Sequence, residues 1–187
     1  MNEKIKDINT LKNFNFNEKI FNTFELKKIK FGLVQFDSMT FNEFIDCQYF
    51  FKETNWAGLL SIIYRPIIKE DLINYEIEKY EIKRSEVVAE WMNNISIIFF
   101  SSIIAYSKWV NELYLTYSTI FDSWENEDPE KEDDEIKNDK PFIYYWYSLF
   151  FQISDGNIEK IEKMMDSNIH SLLTFLSFSN QNKSQKK

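Results

Sequence analysis

The sequence predicts a mainly α fold, a small irregular bundle of about five to seven helices, with a short β-hairpin near residues 25–37. Three observations predict it. Three Gly and three Pro in 187 residues leave too little turn chemistry for a sandwich or barrel of many short strands. Eighteen Phe, ten Tyr and five Trp supply large apolar side chains, and from Thr40 onward these recur at the three- and four-residue spacing of one helix face. The length allows one well-filled core.

Residues 1–30, with seven lysines against four acids and phenylalanines scattered among asparagines, read as a loosely ordered arm. The helical core is expected over 31–124. In "LKKIKFGLVQF" a partly alternating pattern around Gly32 reads as a strand or short hairpin. "TFNE" then places a capping hydroxyl at Thr40 and an acid at Glu43, the spacing of a reciprocal helix cap, with Phe41, Phe44, Ile45 and Phe51 behind it on one face. A second helix is expected after Thr54, carrying Trp56, Leu59, Leu60 and Ile63. Pro66 should stop it near Tyr64, because the residue before a proline is steered from helical angles. Ile67 to Lys83 suits a connector with a helical turn, and Ser85 opens the next helix. Residues 95–120 are expected as the central element, since Asn94, Ser101, Lys108 and Glu112 form a narrow polar stripe on an otherwise apolar run.

Residues 125–140 are an acidic loop; 125–139 alone hold nine acids and two lysines, a net −7 of the chain's −8. After it comes a C-terminal helical hairpin, 141–180, packed on the core. Pro141 fits its first turn, "FIYYWYSLFF" is aromatic on every side, Gly156 ends that helix and Asn157 caps the next. Ile158, Ile161 and Met165 form one stripe, and Ile169, Leu172, Leu173 and Leu176 another. Phe175 and Phe178 fall off the second stripe. The tail 181–187 is polar, basic and expected to be disordered.

Several functions are disfavoured. Only two arginines, Arg65 and Arg84, and no basic stripe leave no electrostatic footprint for nucleic acid. Ile95 to Val110, the longest apolar run, is interrupted by serines and Lys108 and falls short of the roughly 20 residues that span a bilayer, so no membrane segment is expected. Cys47 and His170, each the sole residue of its type, cannot assemble a zinc set, and the acidic run lacks the glycine of a calcium loop. His170 reads as a surface residue and Cys47 as a small core residue, with no paired base and nucleophile and no phosphate loop. No enzyme activity and no cofactor is expected, and the residues point to a cytosolic protein.

What the pattern does offer is apolar surface to spare at the C-terminal end. Phe150, Phe151, Leu172, Phe175, Leu176 and Phe178 are the candidate partner contacts, suited to shelter an amphipathic helix in a groove. In order, "MTFNEFIDCQYFF", "NWAGLLSIIYRPI", "YEIEKYE", "WMNNISIIFFSSIIAYSKWVNEL" and "SDGNIEKIEKMMDSNIHSLLTFLSF" resemble a family of small phage proteins described as tail assembly chaperones. The matching positions are Thr40, Glu43 and Phe44; Tyr64, Arg65 and Pro66; Gly156, Asn157 and Ile158; then Leu172, Leu173 and Leu176. This resemblance implies a non-enzymatic protein of the host cytoplasm that coats apolar helical segments of the tape-measure protein during tail assembly and is absent from the finished particle. The alternative is a permanent virion component, such as a connector or neck protein. A homo-oligomer is compatible with either.

Overall fold

A computed structural model describes residues 20, 22–71, 74–93, 95–125 and 142–184. It begins with a hairpin of β1 (Thr23–Leu26) and β2 (Ile29–Leu33), which pair antiparallel with Phe24 opposite Phe31. The turn between them uses Lys27 and Lys28 at φ of 50° and 64°, a left-handed pair made without glycine. Gly32 serves another purpose. It lies within β2 beneath the ring of Tyr75, where a Cβ would collide with that ring, so the bare backbone permits the close approach.

The helix after the hairpin starts as its sequence dictates. In α1 (Phe41–Lys52) both halves of the expected cap are present: Thr40 Oγ1 accepts from Glu43 N at 3.3 Å, and Glu43 Oε2 accepts from Thr40 N at 3.0 Å. Next, α2 (Trp56–Ile63) is capped by Asn55, whose Oδ1 accepts from Gly58 N at 2.9 Å. It stops where Pro66 requires, with Tyr64 already extended at φ −118° and ψ 119°.

Beyond Tyr64 the chain departs from the connector expected over Ile67 to Lys83. β3 (Tyr64–Glu70) leaves α2 directly, and β4 (Tyr75–Ile77) returns antiparallel to it. With β2 also paired to β3, the strands form a four-stranded antiparallel sheet in the order β1-β2-β3-β4. Asp71 and Asn74 make the β3–β4 turn: Asp71 N donates to Asn74 O, and Asp71 Oδ1 accepts from Asn74 N at 2.7 Å. The fold is therefore mainly α with a small sheet, not a purely helical bundle. The short hairpin expected near 25–37 forms at Thr23–Leu33, so its first strand begins within the stretch 1–30 expected as a loose arm.

The remaining helices are α3 (Ile82–Met92), α4 (Phe100–Thr116), α5 (Ser118–Glu125), α6 (Phe142–Ile153), α7 (Ile158–Met165) and α8 (Ile169–Ser184). Eight helices among the described residues exceed the five to seven expected. α3 begins three residues before Ser85, whose hydroxyl donates back to Ile82 O instead of capping. The expected central element breaks into a 3-10 turn at Ser96–Phe99, α4 and α5, with Lys108, Glu112 and Leu115 exposed. The central helix is instead α2, buried at every position from Ala57 to Ile63.

Around α2 the core is largely aromatic. Phe24, Phe31, Tyr64 and Phe99 meet at one end, with Phe24 and Phe99 centroids 4.5 Å apart. Phe41 joins Trp146 at 4.8 Å and Phe150 at 5.3 Å at the other. A backbone clip secures the C-terminal helices: Phe41 N donates to Ser167 O, and Ile169 N to Met39 O at 3.0 Å. The acidic stretch 126–141, the first nineteen residues and residues 185–187 lie outside the described residues. Gln181 to Ser184, expected in a disordered tail, continue α8.

Candidate partner-binding surface

On α6 nearly every side chain is large and aromatic, so helical phase alone decides which go inward. Trp146 and Phe150, four residues apart, are fully buried against Phe41 and Phe121. Tyr144, Tyr147 and Phe151 then fall within about 60° of one another, roughly 110° around the helix from that buried pair. They stand 62%, 43% and 59% exposed. The end of the helix holds Phe151 there. Asp155 and Gly156 take left-handed φ of 55° and 73°, Gly156 N donates to Phe151 O at 2.9 Å, and the Phe151 ring packs over Gly156. A side chain fixed this way loses little further entropy on contact with a partner.

α8 repeats the division. Ile169, Leu172, Leu173 and Leu176 are buried, while Phe175 and Phe178 are 50% and 62% exposed. Three of the six expected contact residues are thereby corrected. Phe150, Leu172 and Leu176 are sealed inside the chain, because the inward phase of each helix is already used by the core; Phe151, Phe175 and Phe178 remain on the surface. Tyr144 and Tyr147 join them, unforeseen, and would have followed from phase once Trp146 and Phe150 were assigned inward. On α7, Ile161 and Met165 are buried, but Ile158 is exposed, contrary to the single stripe expected.

Two of the motifs that carry the family resemblance meet in the interior. Besides capping Thr40, Glu43 accepts from Arg65 Nη1 on Oε1 at 2.9 Å, with both side chains more than nine-tenths buried. Tyr64 OH and Ser102 Oγ lie 2.7 Å apart, and burial pushes the phenol up to about 12. These groups join α1, β3 and α4, and being covered they offer nothing to a partner. Nearby, Tyr80 donates to Asp46 Oδ2 at 2.6 Å, and burial raises the Asp46 carboxyl. Cys47 is the core residue expected; burial pushes its thiol well up, so no thiolate is presented.

His170 does not stand free on a polar face. Its Nε2 lies 3.1 Å from Asp37 Oδ1, and its Nδ1 lies 3.2 Å from Tyr117 OH. Asp37 Oδ1 also accepts from Trp109 Nε1 at 2.7 Å, and Asp37 O from Asn168 Nδ2 at 2.7 Å. Hydrogen bonds from Trp109 first, then His170, hold the Asp37 carboxyl below its usual value. The cluster ties the start of α8 to α4 and to the 3-10 turn at Phe36–Ser38. Its members are up to 133 positions apart, so no local pattern announces it.

Among the described residues, no group of three His, Cys, Asp or Glu side chains could hold a metal ion, and no helix is long and apolar enough to cross a membrane. No protein-family model, curated protein or solved structure matches the chain.

Proposed function

We propose that this protein is a non-enzymatic assembly chaperone that shelters an apolar helical segment of a larger protein, the tape-measure protein of a phage tail being the client that the motif resemblance implies. The observation that carries the reading is the set of five exposed aromatic side chains on α6 and α8, arranged by helical phase beside fully buried neighbours. Aromatic groups contribute large contact area at low entropic cost, and a stripe at i, i+3 and i+7 fits an amphipathic helix laid alongside. The host cytoplasm is the compartment that this role requires.

Coexpression with the client tests the proposal. Wild-type protein should copurify with the tape-measure protein and keep it soluble, whereas the pair of substitutions Tyr147→Ser and Phe178→Ser should lose copurification while its circular dichroism and unfolding midpoint stay unchanged. Equal copurification by both proteins would remove the proposed role of this surface. Mass spectrometry of purified particles separates the remaining alternative, since stoichiometric copies there would make the chain a virion component.

A further inference from the structure

We infer that one buried water bridges Arg65 Nε and Glu78 Oε2 and completes the polar joint between β3 and α3. The site lies apart from the aromatic surface, so it stands or falls independently of the client-holding role.

Several segments converge to build it. Ser61 comes from α2, Arg65 from β3, Glu78 from the position after β4, and Arg84 and Ser85 from α3; together they line a cavity of about 10 Å³. Two polar atoms there are buried without a hydrogen bond, the donor Arg65 Nε and the acceptor Glu78 Oε2. Leaving either unpaired is costly. The rest of the Arg65 side chain is held in place, with more than nine-tenths of it buried and Nη1 donating to Glu43 Oε1 at 2.9 Å and to Glu78 O at 3.4 Å. Glu78 Oε2 forms an ion pair with Arg84 Nη1 without a hydrogen bond between them.

A water molecule satisfies both atoms at once, because its oxygen accepts from the Arg65 Nε–H and one of its protons goes to Glu78 Oε2. Its second proton has acceptors as well. Ser61 Oγ donates to Gly58 O at 2.6 Å and Ser85 Oγ to Ile82 O at 2.8 Å, so both hydroxyl protons are committed and the oxygens keep free lone pairs.

Size and charge select water over an ion. Holding one water takes roughly 10–15 Å³, so this cavity admits one and nothing larger. Arg65 and Arg84 are balanced by Glu43 and Glu78, and Lys79 and Glu81, which also line the cavity, offset each other. An ion would bring an uncompensated charge into the joint.

A crystal structure of the full chain, at a resolution that orders buried water, tests this. One water should lie within ~2.7–3.2 Å of both Arg65 Nε and Glu78 Oε2. A protein atom accepting directly from Arg65 Nε, a larger solute in the cavity, or no peak there while other buried waters are ordered overturns the inference. In solution, the Arg65 Nε proton should show a rotating-frame cross-peak to water with the sign of a long-lived neighbour rather than of exchange. Arg84→Lys assigns that signal, since the chain has only two arginines. Glu78→Met removes the carboxylate acceptor but keeps the backbone carbonyl that Arg65 uses, so it should lose the cross-peak at unchanged circular dichroism. A cross-peak of wild-type intensity in that variant, or its absence from wild type, equally overturns the bridge.

Discussion

α2 and α6 are both apolar almost throughout, yet they behave oppositely. α2 is covered on all sides by α1, α3 and β3, and its seven residues from Ala57 to Ile63 are buried. α6 buries Trp146 and Phe150 and leaves Tyr144, Tyr147 and Phe151 in the open. Residue type does not distinguish them; the number of neighbours does. An apolar helix surrounded by partners is core, and one at the edge retains a face that the described residues do not cover.

Truncating adjacent aromatic residues on α6 puts this contrast under the greatest strain. Phe150→Ala should cost about 3–5 kcal/mol, the usual loss for a buried Phe, while Phe151→Ala should cost under about 1 kcal/mol. Urea unfolding with unchanged denaturant slope reads both, and equal losses would show that Phe151 belongs to the fold. Arg65→Met should cost a comparable ~3–5 kcal/mol, because the Glu43 carboxylate stays buried without its partner. A loss below about 1 kcal/mol in the same unfolding assay would mean that Glu43 reaches water.

Glycine and serine extend the contrast at smaller scale. In α2 an added Cβ at Gly58 would lie 2.6 Å from the Phe50 ring, so Gly58→Ala should lose about 1–3 kcal/mol to overpacking despite alanine's better helix propensity. On the exposed side of α6, Ser148→Ala meets no such obstacle and should gain a few tenths of a kcal/mol. Thermal unfolding of the two variants should move in opposite directions.

The smallest effect concerns acid. Because Asp37 is held below the usual 3.8, its contribution is fully present above that pH and is lost as pH falls through its lower folded value. Wild type should therefore exceed Asp37→Asn in stability at neutral pH, and the gap should close below pH 3.8. The group is largely exposed, so the gap is small. Unfolding curves collected between about pH 7 and pH 3 check the direction, and a gap that widens below pH 3.8 would contradict it.

Local chemistry made part of this fold legible. The Thr40–Glu43 cap, the end of α2 before Pro66 and the Gly156–Asn157 junction each depend on a few adjacent residues, and each stands where the sequence places it. The β3–β4 hairpin was hidden because its strands are short and charged and its turn relies on Asp71 and Asn74 without glycine. The β1–β2 hairpin was legible from the alternation around Gly32, although its turn carries lysines in place of Asn-Gly. For the candidate surface, Phe175 and Phe178 were visible as residues off the leucine stripe. Phe150, Leu172 and Leu176 were misjudged because hydrophobicity gives no phase until one inward residue is known. Nor could spacing foresee the Asp37–His170 contact, which closes over 133 positions.

Whether the uncovered aromatic faces hold a client is decided by isothermal titration calorimetry with a purified amphipathic helical segment of that client, run on wild type and on the Tyr147→Ser and Phe178→Ser pair. Wild type should bind with a negative heat-capacity change, the mark of apolar burial, and the substituted protein at least about tenfold more weakly at unchanged unfolding stability. Equal affinity of the two proteins would contradict a role for these faces in binding.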